Sequence, residues 1–192
     1  MKCPRCVQRI HRAAASCPHC GFSISDADLL FGGQPLHLKS VNDVAGLFRL
    51  QERDRLVEKL QRLRRLFPEL FVSIYTGNLN HAGQVRQLGF WLLNRGVFRD
   101  TPAHIPNDNG VILVIDPDSR MAGLTFGYRL EPYVGEEESF DCLARAHAHW
   151  LHGRYADGVL QVINELQKLL KKRSRDVRKH GLQAGIGKGN AT

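Results

Sequence analysis

The sequence predicts an α/β fold, a central sheet sandwiched between helix layers, with a small cysteine-rich unit in front of it. Segments with helical spacing of apolar residues alternate with short runs of β-branched and aromatic residues. One of these runs, GVILVI at 110–115, is apolar without a break, as in a strand buried on both faces. Four of the five cysteines lie within the first twenty residues, which sets that segment apart from the rest.

Length and composition limit the class of protein. A chain of 192 residues with 43% apolar and 24% charged residues can build one ordinary core and an appendage. Its apolar runs are far shorter than the roughly 20 residues that cross a bilayer, and the N-terminus does not resemble a secretion signal. We therefore expect a cytoplasmic protein without a transmembrane segment, in a reducing environment that leaves thiols available to metals.

The N-terminal unit at 1–24 carries two Cys-Pro-x-Cys pairs, Cys3 with Cys6 and Cys17 with Cys20. Each pair is short enough to form one turn that points two thiolates at a single metal, and four thiolates complete a tetrahedral zinc site. Such a site keeps no open position for water. The sequence therefore predicts a structural zinc ribbon whose folding depends on the metal.

The segment at 25–40 has two glycines, a proline and no sustained periodicity, which predicts a linker. The main domain is predicted at 41–173. Its first helix is expected at 51–67, where large apolar residues recur at spacings of four, three and four until Pro68 ends the pattern.

Strand and helix patterns then follow in turn. A strand is predicted at 70–75, a helix at 81–95, and two strands at 110–115 and 121–126. Two final helices are expected at 139–151 and 155–172.

Two residue groups in this region have local explanations. The sequence DPDS at 116–119 has a weak likeness to the aspartate pair of haloacid dehalogenase phosphatases, but it is typical of a hairpin turn between the two strands. Cys142, on the first of the two final helices, is predicted to be a small core residue.

Positive charge is concentrated near the C-terminus. The formal net charge is +8, and the segment 168–179 contributes seven basic residues against one aspartate. From residue 174 onward the sequence is basic and then glycine-rich, so residues 174–192 are predicted to form a disordered tail.

Three motifs carry a resemblance to a known family: VNDVAG at 41–46, NGVILV at 109–114 and GYRLE at 127–131. In this order and spacing they resemble the TPM domain family. The resemblance covers about 41–173 and implies a central sheet between helices. The family includes plant thylakoid proteins with acid phosphatase activity and members that bind calcium in an acidic cleft. Many members carry a secretion signal and a membrane anchor, whereas this chain has a zinc ribbon there.

Three acidic residues in these motifs are candidate ligands for a hard cation such as Ca²⁺ or Mg²⁺: Asp43, Asp108 and Glu131. Each lies at the end of a predicted element, where binding sites are usually built. A bound cation would hold a phosphate ester and activate water. The alternative is local: the three carboxylates cap turns and short helices.

The sequence therefore leaves three functions open. The first is a cytoplasmic binding or adaptor module with a protein partner, and the second is a metal-dependent phosphate-ester hydrolase that uses the three carboxylates. The third is nonspecific binding of nucleic acid or of an anionic membrane surface through the basic tail.

Overall fold

The computed structural model describes residues 2–11, 13–79 and 84–186, with the side chains of the last helix as far as Asp176. The strands are β1 (Leu36–Leu38), β2 (Val41–Asp43), β3 (Phe71–Thr76), β4 (Gly96–Phe98), β5 (Gly110–Asp116) and β6 (Met121–Phe126). The α-helices are α1 (Ile24–Phe31), α2 (Leu50–Leu66), α3 (Gln84–Arg95), α4 (Glu136–Leu151) and α5 (Tyr155–Ile186). Short 3₁₀ helices lie at Asn107–Asn109 and Glu131–Tyr133.

The centre of the fold is a four-stranded sheet in the order β2-β3-β5-β6. The first three strands are parallel, and β6 returns antiparallel to β5 through a hairpin. The parallel pairs need crossover connections, which α2 provides between β2 and β3, and α3 between β3 and β5. The predicted α/β class, a sheet between helix layers, is confirmed.

Strand β5 is buried on both faces, as its unbroken apolar sequence predicted. Val111, Leu113 and Ile115 point to one side, where they pack with α2, α4 and α5. Ile112 and Val114 point to the other side, where they pack with α3. The sheet therefore has two separate apolar cores, because side chains alternate across a strand.

Most predicted elements are present within a few residues of their predicted bounds. The confirmed elements are α2, α4, β3, β5 and β6, and also α5, which begins at its predicted residue but continues past its predicted end to Ile186. Helix α3 is confirmed from Gln84 onward, and the residues 81–83 of that prediction lie outside the described part of the chain. The hairpin turn is also confirmed: Asp116 accepts hydrogen bonds from the Asp118 amide at 3.1 Å and the Ser119 hydroxyl at 2.6 Å.

The segment predicted as a linker, 25–40, contains most of α1 and all of β1, so the linker prediction is wrong for 25–31 and 36–38. A capping box begins α1: the Asp26 amide donates to Ser23 Oγ, and the Ser23 amide donates to the Asp26 carboxylate at 2.7 Å. Strand β1 is stabilised by parallel pairing with β4, a partner about 60 residues away in sequence. The capping box of α1 could be recognised from the local sequence, whereas the pairing of β1 with β4 could not.

The predicted disordered tail also differs from the structure, because α5 continues to Ile186. Lysine, arginine, leucine and alanine are good helix formers, and the packed part of α5 supplies the helix nucleus. Residues 187–192 of that prediction lie outside the described part. No helix in the described ranges, α5 included, is both long and apolar enough to span a membrane.

We expect Gly127→Ala to destabilise the fold, because a Cβ there would lie 2.2 Å from the Asp108 carbonyl oxygen. The expected loss in free energy of unfolding is about 1–3 kcal/mol. Urea denaturation of the zinc-loaded protein measures it. Gly33→Ala is the matched control, since a Cβ at Gly33 meets nothing within 4 Å; equal effects of the two substitutions would contradict the prediction.

Candidate metal centre

The first Cys-Pro-x-Cys pair forms a tight turn around its sulfurs. The Val7 amide donates to the Cys3 carbonyl at 2.9 Å, and the Cys3 amide donates to the Gln8 carbonyl at 2.8 Å. Val7 has a φ of 64°, a left-handed conformation that is uncommon for a β-branched residue. The backbone after Cys6 is therefore held in a conformation that closes the turn on the two thiols.

The second pair repeats this plan fourteen positions later. The Gly21 amide donates to the Cys17 carbonyl at 2.9 Å, and the Cys17 amide donates to the Phe22 carbonyl at 2.8 Å. Gly21 has a φ of 72°, which glycine adopts without strain. The residue after Cys20 therefore suits its left-handed conformation better than Val7 does after Cys6. The two turns have the same backbone hydrogen bonds and face each other.

The four sulfur positions fit one tetrahedral metal. Their ligand atoms all lie within 4.8 Å of one another. The Sγ atoms of Cys3 and Cys20 are 3.7 Å apart, and those of Cys6 and Cys17 are 3.6 Å apart. A tetrahedral site with Zn–S bonds of about 2.3 Å requires sulfurs about 3.8 Å apart. The distances therefore match zinc.

The electrostatics of the cluster allow all four sulfurs to ionise only with a cation among them. At Cys17 desolvation opposes ionisation, but the His19 and Cys20 amides point at the sulfur and lower its pKa to about 6. At Cys6 the Gln8 amide favours the thiolate, but desolvation and the neighbouring thiols prevail and raise its pKa to about 12. Four negative sulfurs this close are compatible only when a metal ion balances them. Four protein ligands leave no position for a substrate, so such a metal is structural.

The zinc ribbon packs directly on α3. Cys3, Cys17 and Phe22 are buried in the same apolar core as α3. The Phe22 ring meets the Phe90 ring edge to face, with centroids 5.9 Å apart. Lys2 at the start of the ribbon pairs with Glu136 at the start of α4.

Helix α1 fixes the ribbon to the same surface through Asp28. Its Oδ1 accepts from Trp91 Nε1 at 3.0 Å and from Arg95 Nε at 2.9 Å, and its Oδ2 accepts from Arg95 Nη2 at 2.5 Å. Arg95 first, and then Trp91, hold the pKa of Asp28 below its ordinary value. The Phe31 ring also packs on the Trp91 ring, with centroids 5.9 Å apart.

Sequence reasoning missed this contact because it placed Asp28 in a linker. The capping box that begins at Ser23 could have revealed α1, since it is a local signature. No local pattern pairs Asp28 with Trp91 and Arg95, which lie more than 60 residues later.

The Asp43 carboxylate accepts hydrogen bonds from the loop that follows it. Its carboxylate accepts from the amides of Leu47 and Phe48, both at 2.9 Å, and from the Thr76 hydroxyl at 2.5 Å. These bonds hold the loop between β2 and α2 and tie it to β3. Asp43 therefore has the capping role that the sequence left open as the alternative to cation binding.

The other two acidic residues lie at the opposite edge of the sheet. In the strand register Asp43 aligns with Thr76 and Ile115, whereas Asp108 precedes Gly110 at the start of β5. A strand of this length separates the two edges by about 20 Å. Glu131 follows β6 in the loop joined to Asp108 through the Arg129 amide, which donates to the Asp108 carbonyl at 3.1 Å.

The structure therefore does not bring the three carboxylates together. Among the described residues, the four cysteines form the one group of three or more histidine, cysteine, aspartate or glutamate ligands at metal-binding distance. Cys142 is buried in α4, away from that group, and desolvation raises its pKa to about 11. Its predicted role as a core residue agrees with this burial.

Comparison with known proteins identifies the larger part of the chain. The family model of the TPM domain matches residues 41–169. No curated protein sequence matches the chain.

Solved structures similar to this chain include the N-terminal domains of two other proteins. The N-terminal domain of a P. gingivalis protein is 18% identical, with a TM-score of 0.51, and the match covers 79% of this chain and 92% of that domain. The N-terminal domain of a Corynebacterium glutamicum protein is 12% identical, with a TM-score of 0.49, and the match covers 68% of this chain and 78% of that one. At 18% identity the first likeness shows the fold alone.

We expect one zinc ion per chain, lost in Cys20→Ser and retained in the control Cys142→Ser. Elemental analysis of protein purified without added metal measures the ratio. Because thiols must lose protons to bind the metal, the apparent zinc affinity should rise about tenfold per pH unit for each proton released. Equal zinc content in the two variants would contradict the assignment.

We expect Asp28→Asn to lower the thermal midpoint of the zinc-loaded protein at pH 7, because the charged partner of Arg95 is lost. The lowered pKa of Asp28 means that its contribution is fully present above the ordinary pKa of about 3.9 and is lost as pH falls through the folded value. The difference from wild type should therefore be constant between pH 8 and 5. Asp54→Asn, an exposed change on α2, is the control and should leave the midpoint unchanged.

Proposed function

The chain belongs to the TPM domain family, and we propose that it acts as a binding or adaptor module rather than as an enzyme. In this proposal the zinc ribbon and the TPM domain together present one surface to a protein partner in the cytoplasm. The zinc is structural and holds that surface in shape.

The observation that carries the proposal is the shared core of the ribbon and α3. Cys3, Cys17 and Phe22 are buried against residues of the TPM domain, and Asp28 bonds to Trp91 and Arg95. A ribbon joined by a flexible linker would act independently. A ribbon packed in this way forms part of the domain surface, and its closed cysteine site favours a structural role over chemistry.

Helix α1 offers a contact site on this surface. Its inner side carries the buried Ala27 and the Asp28 pair, while Leu29 is 87% exposed and Leu30 is 50% exposed. Two adjacent exposed leucines on a helix that is otherwise anchored support a role in protein binding. The partner would therefore present an apolar surface to α1.

The hydrolase alternative has less support. It needs Asp43, Asp108 and Glu131 around one Ca²⁺ or Mg²⁺, whereas Asp43 caps a loop at one sheet edge and Asp108 precedes β5 at the other. The phosphatase activity of other TPM domain proteins remains an argument from the family alone.

Affinity capture from the source cells, followed by calorimetry with the purified partner, tests the adaptor proposal. Leu29→Ser with Leu30→Ser should weaken binding at least tenfold (about 1.4 kcal/mol). The control, Leu50→Ser with Leu66→Ser, changes two exposed leucines of α2 and should have little effect. Zinc removal should abolish binding.

Two results would contradict the proposal. One is a partner affinity that is the same in both double variants and after zinc removal. The other is turnover of p-nitrophenyl phosphate by the zinc-loaded protein that depends on added Ca²⁺ or Mg²⁺.

A further inference from the structure

Helix α5 carries the highest density of positive charge in the chain, and it is longer than the core requires. It runs for 32 residues, about 48 Å at about 1.5 Å per residue. Within the part whose side chains are described, the last buried residue is Leu170. Arg173 makes the next contact with the domain, donating to the Tyr133 carbonyl at 2.9 Å and pairing with Glu138. The helix then continues for more than three turns.

The two sides of α5 have different compositions. The side toward the domain carries large apolar residues, Leu166, Leu169 and Leu170, all buried. The exposed side carries the basic residues Lys168, Lys171, Lys172 and Arg175. The sequence continues with two more basic residues, at 178 and 179.

Part of this exposed charge is balanced within the protein: Arg173 first, and with it the nearby Lys172, hold the pKa of Glu138 below its ordinary value. Lys168 pairs with Glu165 at 2.8 Å. Within the described residues no carboxylate lies within ion-pair distance of Lys171, Lys172 or Arg175. Unpaired cations repel one another, so they would be stabilised by an anionic partner.

Helix α2 adds to the same region. It lies beside α5, and Lys59 Nζ is 3.4 Å from Gln167 Oε1. Both helices run antiparallel to the parallel strands, since α2 leads back to the start of β3 and α5 runs from beside Asp116 to Tyr133. Arg65 therefore lies at the same end of this helix layer as Arg175, and it is exposed.

We propose that these residues, Arg65, Lys171, Lys172 and Arg175, form a basic helical surface that binds the phosphate backbone of double-stranded nucleic acid without reading its sequence. The inference goes beyond the adaptor function and does not depend on it. The ribbon lies on the other face of the sheet, so a protein partner at α1 and a duplex at α5 would bind at the same time.

Three features favour a duplex over other anions. The described part of α5 carries no aromatic side chain beyond Tyr155, so unpaired bases would find only Tyr133, beside Arg173, to stack on, which disfavours single strands. Lysine and arginine on a rigid helix are suited to phosphate contacts, which position a duplex without specifying bases. The large apolar side chains of the described part of α5 are buried in the core, so they are not available to insert into a membrane.

Fluorescence anisotropy with a labelled DNA duplex of about 25 base pairs and arbitrary sequence tests the proposal. Wild-type affinity should fall linearly with salt concentration on a log–log plot, with a slope of about −0.9 per phosphate contact. Lys171→Gln, Lys172→Gln and Arg175→Gln together should weaken binding at least tenfold at low salt and reduce the slope by two to three units, about one per residue. Arg65→Gln alone should reduce it by about one.

The matched control removes the same number of charges elsewhere: Arg9→Gln, Arg120→Gln and Arg154→Gln, all exposed and away from this surface. It should keep the wild-type affinity within about twofold, apart from a small effect of net charge. Circular dichroism and the thermal midpoint establish that both triple variants are folded.

Three results would overturn the proposal. Equal losses in the two triple variants would mean that net charge alone drives binding. Binding to phosphatidylserine vesicles with no binding to the duplex at low salt would assign the surface to membranes. An unchanged salt slope for Arg65→Gln would exclude α2 and with it the two-helix surface.

Discussion

The structure depends on the burial of β5 from both sides. A strand whose seven residues are all buried needs a packed layer on each face of its sheet. One face is covered by α2, α4 and α5. On the other face α3 is the crossover helix, and the ribbon with α1 extends the cover that α3 begins. The zinc ribbon therefore helps to cover one face of the sheet, in addition to being a small metal-binding unit.

This arrangement couples the metal to the domain. A zinc ion bound to the four cysteines would hold two turns whose backbones favour the same thiol geometry, one of them with valine in a left-handed conformation. The ordered ribbon then places Phe22 against Phe90 and begins the helix that carries Asp28. Loss of the metal would consequently affect the surface around α3 and α1, and not the ribbon alone. A module that binds partners through that surface would depend on zinc without any chemistry at the metal.

The two helix layers have different charge and different neighbours. The layer with α3 is associated with the ribbon, and its exposed feature is the leucine pair on α1. The layer with α2 and α5 ends in the exposed residues Arg65, Lys171 and Arg175, which have no ion pair among the described side chains. The sheet lies between the leucine pair on α1 and the basic end of α5, although the ribbon reaches the start of α4 through the ion pair of Lys2 with Glu136. The proposed protein and nucleic-acid contacts are thus compatible in one molecule.

The sequence by itself determined the four cysteines of the metal-binding cluster, the strands β3, β5 and β6, and most of the helices. In each case the signal is local: ligand spacing of a few residues, an unbroken apolar run, or apolar residues at helical period. Only the tertiary structure decided where the acidic residues lie. Strand direction and register place Asp43 at one edge of the sheet and Asp108 at the other, although the motifs that contain them occur in family order. The docking of α1 and the pairing of β1 with β4 likewise depend on partners about 60 residues away. Local patterns specify which element forms, whereas the meeting of distant side chains depends on how the elements pack.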